Sequence, residues 1–525
     1  MSPKLRAAAL LLPLLVYAVL AGRRIGAGVG YQMDEALYVE SAVYMLRGSG
    51  EPPFVHEAGA WIAAGGRRWP LMIIPYVGAA KAYVALPLFA AFGIGAETAR
   101  ATGALLGALG ISGLTVLVGS MAGWLAALVT GLLLAIHPSY LDLTVFDHGG
   151  SAVWMGAMGL LAFALTVHFR RRSAATAFLV GLAAGLGVWG RANFVWLLAA
   201  ALLAAVVVSG RRGFPTAREV LSALAGALAG AAPLLVYELR SRAGTLHAAS
   251  AMRQPFSAGR PGARLGGMAE LMVSSRQLRA IWGGPGTQAW EIALGAALLV
   301  LVAVALVARI PGSDPSVSSV RRAFALATLA LTAILVLSGL PVGQHHMLAV
   351  LPLALASVTI LGVELGRRSK GAAVVFIGLA AAAAAVSVGW DVRIDRGLRE
   401  TEGRGVWSSA LFRIRDRLEA ERVAPERFKI LDWGYQNNLY VVSGGKVSGT
   451  ELFWGATPAR SSRGVPWSDE IRGGGVFLRT FGSTSPASEG FARALREDPG
   501  EHREVVFRDL RGDAVASLVE IAPRP

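Results

Sequence analysis

Runs of about twenty apolar residues recur along this 525-residue chain from its N-terminus to Trp390, and they leave few folds open. A backbone in lipid must satisfy its own hydrogen bonds, and a helix does so within the segment. Hydrophobic residues make up 54% of the chain and charged ones 16%, with mean hydropathy +0.53. The expected fold is a polytopic α-helical membrane protein. Its candidate spans are 7–22, 97–119, 121–138, 151–169, 175–190, 194–209, 221–237, 292–310, 323–340, 347–365 and 372–390, about eleven in all. The first run, behind Lys4 and Arg6, reads as an uncleaved span rather than a signal peptide, because more spans follow.

One further segment, "WPLMIIPYVGAAKAYVALPLFAAFG" from Trp69 to Gly93, is long enough to cross but contains Pro70, Pro75, Pro87 and Lys81. Basic clusters decide its reading. If it does not cross and the N-terminus is cytoplasmic, then Arg170–Arg172, Arg211-Arg212 with Arg218, Arg321-Arg322, and Arg367-Arg368 with Lys370 all fall in short cytoplasmic loops. That is the positive-inside pattern. The segment is therefore expected as helical pieces lying along the outer membrane face. An amphipathic first external loop then runs over 23–96, and a basic, mobile loop over 239–288 is also external. That second loop reads either as disordered or as a lid that orders over an anion. Nine tryptophans (Trp61, Trp69, Trp124, Trp154, Trp189, Trp196, Trp282, Trp290 and Trp390) fall near span ends, as interfacial anchors do.

Composition shifts after Trp390. Residues 391–525 read as a soluble α/β domain on the outer side, following a membrane domain over 1–390. "DVRIDRGLRETEGRGVWSSALFRIRDRLEAERV" reads as a charged amphipathic helix. "FKILDWGYQNNLYVVSGG" and "EVVFRDLRGDAVASLVEIA" read as strands and hairpins, with Gly-Asp as a turn. There is no cysteine, so thiolate metal sites and disulfides are excluded. A net charge of +16 on such a chain describes loops near anionic lipid, and it also suits an anionic substrate. No nucleic-acid partner is expected.

Several residues carry chemical interest. Asp34 either caps a helix starting at Ala36 or serves as a general base, with Glu35 beside it. Asp147, in "HPSYLDLTVFDHGG", either caps the next helix or marks a second acidic site next to His148. Lys81 either snorkels or meets a phosphate. Arg191 lies in a very short external turn between two spans, where a stray cation is unfavourable. His345 and His346 open a span, and at most one of two adjacent histidines faces a given site. No helical His-x-x-x-His spacing supports a metal site.

"DEALYVESAVYMLRGSG" after the first span resembles the start of the GT-C membrane glycosyltransferases that use polyprenyl-phosphate sugars. These enzymes include the protein O-mannosyltransferase and aminoarabinose-transferase-like branches (glycosyltransferase family 39-like). The similarity continues through "PYVGAAKAYVALPLFAAFGIGAETARATGALLGALG", "HPSYLDLTVFDHGG", "GLAAGLGVWGRANFVWL" and "HHMLAVLPLALA". It covers roughly the first 210 residues. Arg191 stands where many relatives carry Lys, and the C-terminal domain matches only generically. The resemblance implies transfer of a sugar, with inversion, from a polyprenyl-phosphate donor to an acceptor hydroxyl at the outer face of a bacterial inner membrane. On that reading Asp34 is the general base, Glu35 shapes the base or sugar site, and Asp147 orients acceptor or sugar. Lys81 and Arg191 hold the donor phosphate, and His148 and His345 belong to the substrate-binding set. No cofactor is obligatory, and a divalent metal has no supporting ligand motif. Partners are the lipid-linked donor, a glycan, lipid or protein acceptor, and membrane lipids. A transporter or an inactive accessory subunit of a glycan assembly system are the alternatives, although no internal two-half symmetry favours transport.

Overall fold

The computed structural model describes residues 3–47, 59–209, 215–254, 259–453 and 465–524. Arg211 and Arg212 lie outside the described residues. The chain begins with α1 (Pro3–Ile25), then two short helices, α2 (Met33–Leu37) and α3 (Glu40–Arg47). Two small hairpins follow, β1 (Trp61–Ala64) with β2 (Arg67–Pro70) and β3 (Met72–Ile74) with β4 (Val77–Gly78). Next come α4 (Ala80–Phe92), α5 (Ala96–Met121), α6 (Trp124–Ala135), α7 (Pro138–Val145), α8 (Ser151–Arg170), α9 (Ala174–Gly190) and α10 (Phe194–Ser209). The segment 69–93 is thus strand and turn as far as Gly78 and helical only from Ala80, where helical pieces were expected throughout. Pro70 and Pro75 interrupt helix, and the 13-residue α4 is too short to cross.

The bundle continues through α11 (Ala217–Gly230), α12 (Ala232–Ser241), α13 (Gly244–Ala251), α14 (Gly259–Leu271), α15 (Arg276–Arg279), α16 (Ala289–Val307), α17 (Pro315–Leu337), α18 (Gln344–Met347), α19 (Val350–Gly366) and α20 (Lys370–Thr401). Among the described residues seven helices are long and apolar enough to cross a bilayer, or nine if each bent pair counts once. The bent pairs are α6–α7, at 62°, and α11–α12, at 63°. Each bend coincides with a proline in the first turn of the second helix, Pro138 and Pro233, where a missing N–H costs nothing. All eleven expected segments are helical. At 17 and 16 residues, α9 and α10 are shorter than a full bilayer core. Leu11, Leu202, Leu221, Val300 and Ile377 are exposed on the bundle, as lipid-facing side chains are.

The region 239–288 was expected to be mobile, yet its described residues are mostly helical and built into the bundle. Arg264 donates to the carbonyls of Leu335 and Val336, each at 3.1 Å, and so caps the end of α17. Arg279 is buried between Glu270 (2.9 Å) and Glu291 (3.1 Å). Arg321, counted above among the cytoplasmic cations, is also buried, 2.7 Å from Glu364. Three of the tryptophans expected at the interface, Trp124, Trp154 and Trp390, are buried instead.

The outer domain contains α21 (Ala410–Ala420), β5 (Phe428–Ile430), α22 (Gln436–Val442), β6 (Thr450–Glu451), α23 (Trp467–Gly473), β7 (Gly475–Thr480), α24 (Pro486–Glu497), β8 (His502–Arg508) and β9 (Ala514–Ile521). Its five-stranded sheet has the order β6-β5-β7-β9-β8, with β5 parallel to both neighbours and β9 antiparallel to both of its own. The hairpin expected around Gly512-Asp513 is β8–β9. "FKILDWGYQNNLYVVSGG" yields one strand and then the helix α22, not a hairpin. The change of composition at Trp390 falls inside α20, which runs on to Thr401. Beyond it, Asp391 and Asp395 gather around buried Arg24 at the end of α1. One apolar core joins Tyr31, Val39 and Phe89 to Leu439, Ile430 and Leu478, so the outer domain packs directly on the α2–α4 region.

Candidate active site

The acidic pair does not behave as a pair. Gln32, not Asp34, caps α2: its side-chain oxygen accepts from the Asp34 N–H at 2.6 Å. Glu35, at the third helical position, reaches back to accept from the Gln32 N–H at 3.2 Å, which closes a capping box. The helix therefore starts at Met33, earlier than expected, and Asp34 is not needed as its cap. Glu35 is buried and gripped by Arg100, whose Nε and Nη2 donate to its two oxygens at 2.7 and 2.9 Å. The same guanidinium donates to the carbonyls of Val29 (3.0 Å) and Gly30 (2.6 Å) and stacks on Phe146 at 4.8 Å. Burial pushes the Glu35 carboxyl up, with Arg100 the main opposing influence. Glu35 thus holds the segment in place and does not line an open site.

Asp34 faces the other way. Its side chain is 20% exposed, and Oδ2 lies 3.4 Å from Nδ1 of His148, itself 15% exposed. The Gln277 amide bonds the far nitrogen of that imidazole. Gln344 accepts from the Gln277 N–H at 3.2 Å and donates to Glu270 at 2.9 Å, and Glu270 pairs with Arg279. Behind Asp34, then, stands a continuous polar chain from the 239–288 region. Gln277 carried no sequence signal. The ring of His345 packs against His148, with centroids 5.2 Å apart. His346 accepts from the Gly343 N–H at 3.0 Å, and its ring centroid lies 4.0 Å from that of His345. Trp407 of the outer domain lies 6.3 Å from the His148 ring. Among the described residues no three His, Asp or Glu side chains form a metal-binding group.

The "FDHGG" turn makes this packing possible. Asp147, Gly149 and Gly150 all have positive φ, at 42°, 63° and 72°. A Cβ on Gly149 would lie 2.3 Å from the His345 ring, so both conformation and space require glycine there. Asp147 itself is fully buried. One oxygen accepts from the Ala152 N–H at 2.7 Å, capping α8, and the other lies 2.6 Å from Lys81 Nζ. Burial pushes the Asp147 carboxyl up, against the pull of Lys81. Lys81 is closed off as well, so this cation and this acid answer one another.

Arg191 differs. The β3–β4 hairpin docks on the α9–α10 turn through a bridge between Val77 and Arg191, and the Ala192 N–H donates to Tyr76 at 3.0 Å. The side chain is 2% exposed, yet it joins no ion pair among the described residues, and its Nε and Nη1 have no hydrogen-bond partner there. Burial pushes the guanidinium down from its ordinary value, offset by Tyr38, Asp147, Tyr76 and Asp34. Two buried guanidinium nitrogens without a hydrogen-bond partner are costly and uncommon.

No family model matches the sequence, and no curated protein matches it. Solved structures do. ArnT from Cupriavidus metallidurans bound to undecaprenyl phosphate aligns over 98% of this chain and 98% of its own, with TM-score 0.61 at 15% identity. The chain has the GT-C glycosyltransferase fold. ArnT in the apo state aligns over 97% of each chain, with TM-score 0.56 at 14% identity. The Archaeoglobus fulgidus oligosaccharyltransferase in complex with zinc and sulfate gives TM-score 0.47 at 15% identity over 84% of this chain and 62% of that one. The resemblance seen in the first 210 residues of the sequence extends, as a fold, over nearly the whole chain, outer domain included.

Proposed function

We propose that this chain transfers a sugar from a polyprenyl-phosphate donor to an acceptor hydroxyl at the outer face of a bacterial plasma membrane, with inversion. The observation that carries the reading is the pairing of a solvent-reachable carboxylate, Asp34, with a buried cation outside any ion pair among the described residues, Arg191, whose Nε and Nη1 lack hydrogen-bond partners, on the GT-C scaffold. ArnT, the structural neighbour, was captured with undecaprenyl phosphate, and a lipid phosphate of that class is the donor proposed here. Its isoprenoid tail lies between helices and its phosphate meets Arg191. As the acceptor oxygen attacks the anomeric carbon, its proton passes to Asp34, the bond from that carbon to the phosphate oxygen breaks, and charge grows on the leaving phosphate. Arg191 stabilises that charge where it develops. His148, held by Gln277, orients the carboxylate. One base and no placed nucleophile give a single displacement. Lys81, Asp147 and Glu35 support this arrangement as framework, in place of the direct substrate roles the resemblance implied.

The test is transfer of label from a radiolabelled polyprenyl-phosphate sugar by purified protein in proteoliposomes containing envelope extract as acceptor. Asp34→Asn should lower transfer roughly a hundred- to ten-thousand-fold while donor binding persists. Since Gln32 is the cap, near-normal transfer by the variant would remove the base assignment outright.

A further inference from the structure

The outer sheet carries a feature that the transfer reaction leaves unused. The chain leaves β5 for β6 on one side and returns for β7 on the other, with all three strands parallel. In open α/β sheets, ligands settle at the carboxyl ends of strands flanking such a switch point. Here those ends lead into residues 431–435 and 481–485. Asp432 ties the two loops together, accepting from the Thr480 N–H (2.6 Å) and from the hydroxyls of Ser483, Ser485 and Ser488 (2.5, 2.5 and 2.8 Å). With its acceptors used in this way, Asp432 gives the crevice a fixed shape.

A cavity of about 430 Å³ opens beside the end of β7. One wall is α24, which turns Glu489, Ala492, Arg493 and Arg496 toward it at helical spacing, while Ala487, Phe491 and Ala494 face the core. The other wall holds Phe481, 48% exposed, with Ser483. Arg479 at the rim is matched by Glu504 at 2.7 Å. Arg493 and Arg496 join no ion pair among the described residues, so after Glu489 is counted the cavity keeps positive charge.

We infer that this crevice binds an anionic saccharide. Arg493 and Arg496 take its phosphate or carboxylate, the Phe481 ring covers a sugar face, and Glu489 and Ser483 meet hydroxyls. A bare inorganic anion needs neither this volume nor an exposed ring, and the space suits one or two sugar rings. The β5 loop runs from Asp432 through Trp433 to Gly434, where a Cβ would sit 3.6 Å from Met33, the residue before Asp34. Resting on the transferase reading, the ligand is the acceptor glycan: the cavity's Ser483 and Ser488 are tied through Asp432 to the loop that approaches the catalytic helix.

The full chain in nanodiscs is titrated with maltose 1-phosphate, with maltose, and with inorganic phosphate. Maltose 1-phosphate should bind most tightly. Arg493→Ala/Arg496→Ala should weaken it about tenfold or more, without lowering Tm, because both side chains are exposed. Phe481→Ala should weaken maltose 1-phosphate but not inorganic phosphate. Asp34→Asn should leave all binding unchanged, which keeps this test separate from the transfer assay. Equal binding of maltose and its phosphate, equal binding of inorganic phosphate and the sugar phosphate, or an arginine double variant that binds normally would each overturn the inference.

Discussion

Replacing Lys81 by Met asks whether that lysine serves the fold or the donor. Its ammonium lies 2.6 Å from Asp147, and neither side chain is more than 2% exposed. Met keeps the length of the stem and deletes the charge. Asp147 then retains the Ala152 N–H but loses the cation it touches. Removing one member of a buried pair costs roughly 3–5 kcal/mol, unless the survivor takes up a proton. Burial already pushes the Asp147 carboxyl up and Lys81 opposes it, so loss of Lys81 drives it higher. A carboxyl raised in the folded state contributes stability below its unfolded value, and that contribution is lost as pH rises through the folded one. The deficit of Lys81→Met relative to wild type must therefore widen from acid toward alkaline pH.

The assay is thermal unfolding in detergent, followed by tryptophan fluorescence at about pH 5 and about pH 8, for wild type, both single variants and Lys81→Met/Asp147→Asn. Asn still accepts from the Ala152 N–H, and removing both charges together leaves neither stranded. The double variant should recover most of the Tm lost by Lys81→Met at the higher pH. If Lys81→Met is as stable as wild type there, or if the double variant is no better than the single, the reasoning fails and Lys81 returns to the donor.

Arg191→Gln breaks no ion pair among the described residues, so its Tm should fall less than that of Lys81→Met, while affinity for the lipid-phosphate sugar falls about tenfold or more; unchanged donor affinity would make Arg191 structural. Burial pushes Glu40 well above the usual carboxyl range, opposed by Asn437. Being raised, it loses its stabilising share as pH rises, so the Tm advantage of Glu40→Gln should grow between about pH 5 and about pH 8, and a constant gap would contradict this. The chain has no cysteine, so single cysteines report topology cleanly. An impermeant thiol reagent on intact cells should label a cysteine at exposed Glu97 and not one at exposed Arg171, and the reverse would invert the proposed orientation.

The helical segments were legible because a run of apolar residues and a helix share one length scale. The short strands of 61–78 were not. In a Pro- and Gly-rich apolar stretch, propensity alone cannot distinguish a hairpin docked on the α9–α10 turn from helix lying along lipid. The boundary at Trp390 misled for a related reason. Composition reports solvent, but a helix can leave lipid without ending, and α20 does so where Asp391 and Asp395 meet Arg24. Candidate residues were found by one rule, a charge in an apolar setting, and the rule found them without their roles. Which charge answers which depends on contacts between segments far apart in sequence, such as Glu35 with Arg100 and Lys81 with Asp147. Arg100 carries the same signal as Lys81, a cation in an apolar run, and its partner too lies far away in sequence.

Two adjacent carboxylates can do different work because neighbours on a helix point about 100° apart. Glu35 turns inward to Arg100 and the cap, which leaves Asp34 turned toward His148 and solvent. A helix of five residues cannot hold such an orientation alone. The bundle supplies one restraint through Arg100. The outer domain supplies the others: Asn438 donates to the Tyr31 carbonyl at 3.0 Å, Asn437 bonds Glu40, and Gly30 passes so close to Ser408 that a Cβ would lie 2.1 Å from its carbonyl oxygen. The orientation of the Asp34 carboxylate is therefore set jointly by both parts of the molecule. This gives the outer domain a physical part in the site even before any ligand is bound to it. It also separates two classes of charge by one criterion. Glu35, Arg100, Lys81 and Asp147 are buried and answered, so they hold the fold. Asp34 is reachable, and Arg191 is buried with two nitrogens lacking hydrogen-bond partners, which is why the proposed function gives these two the substrate.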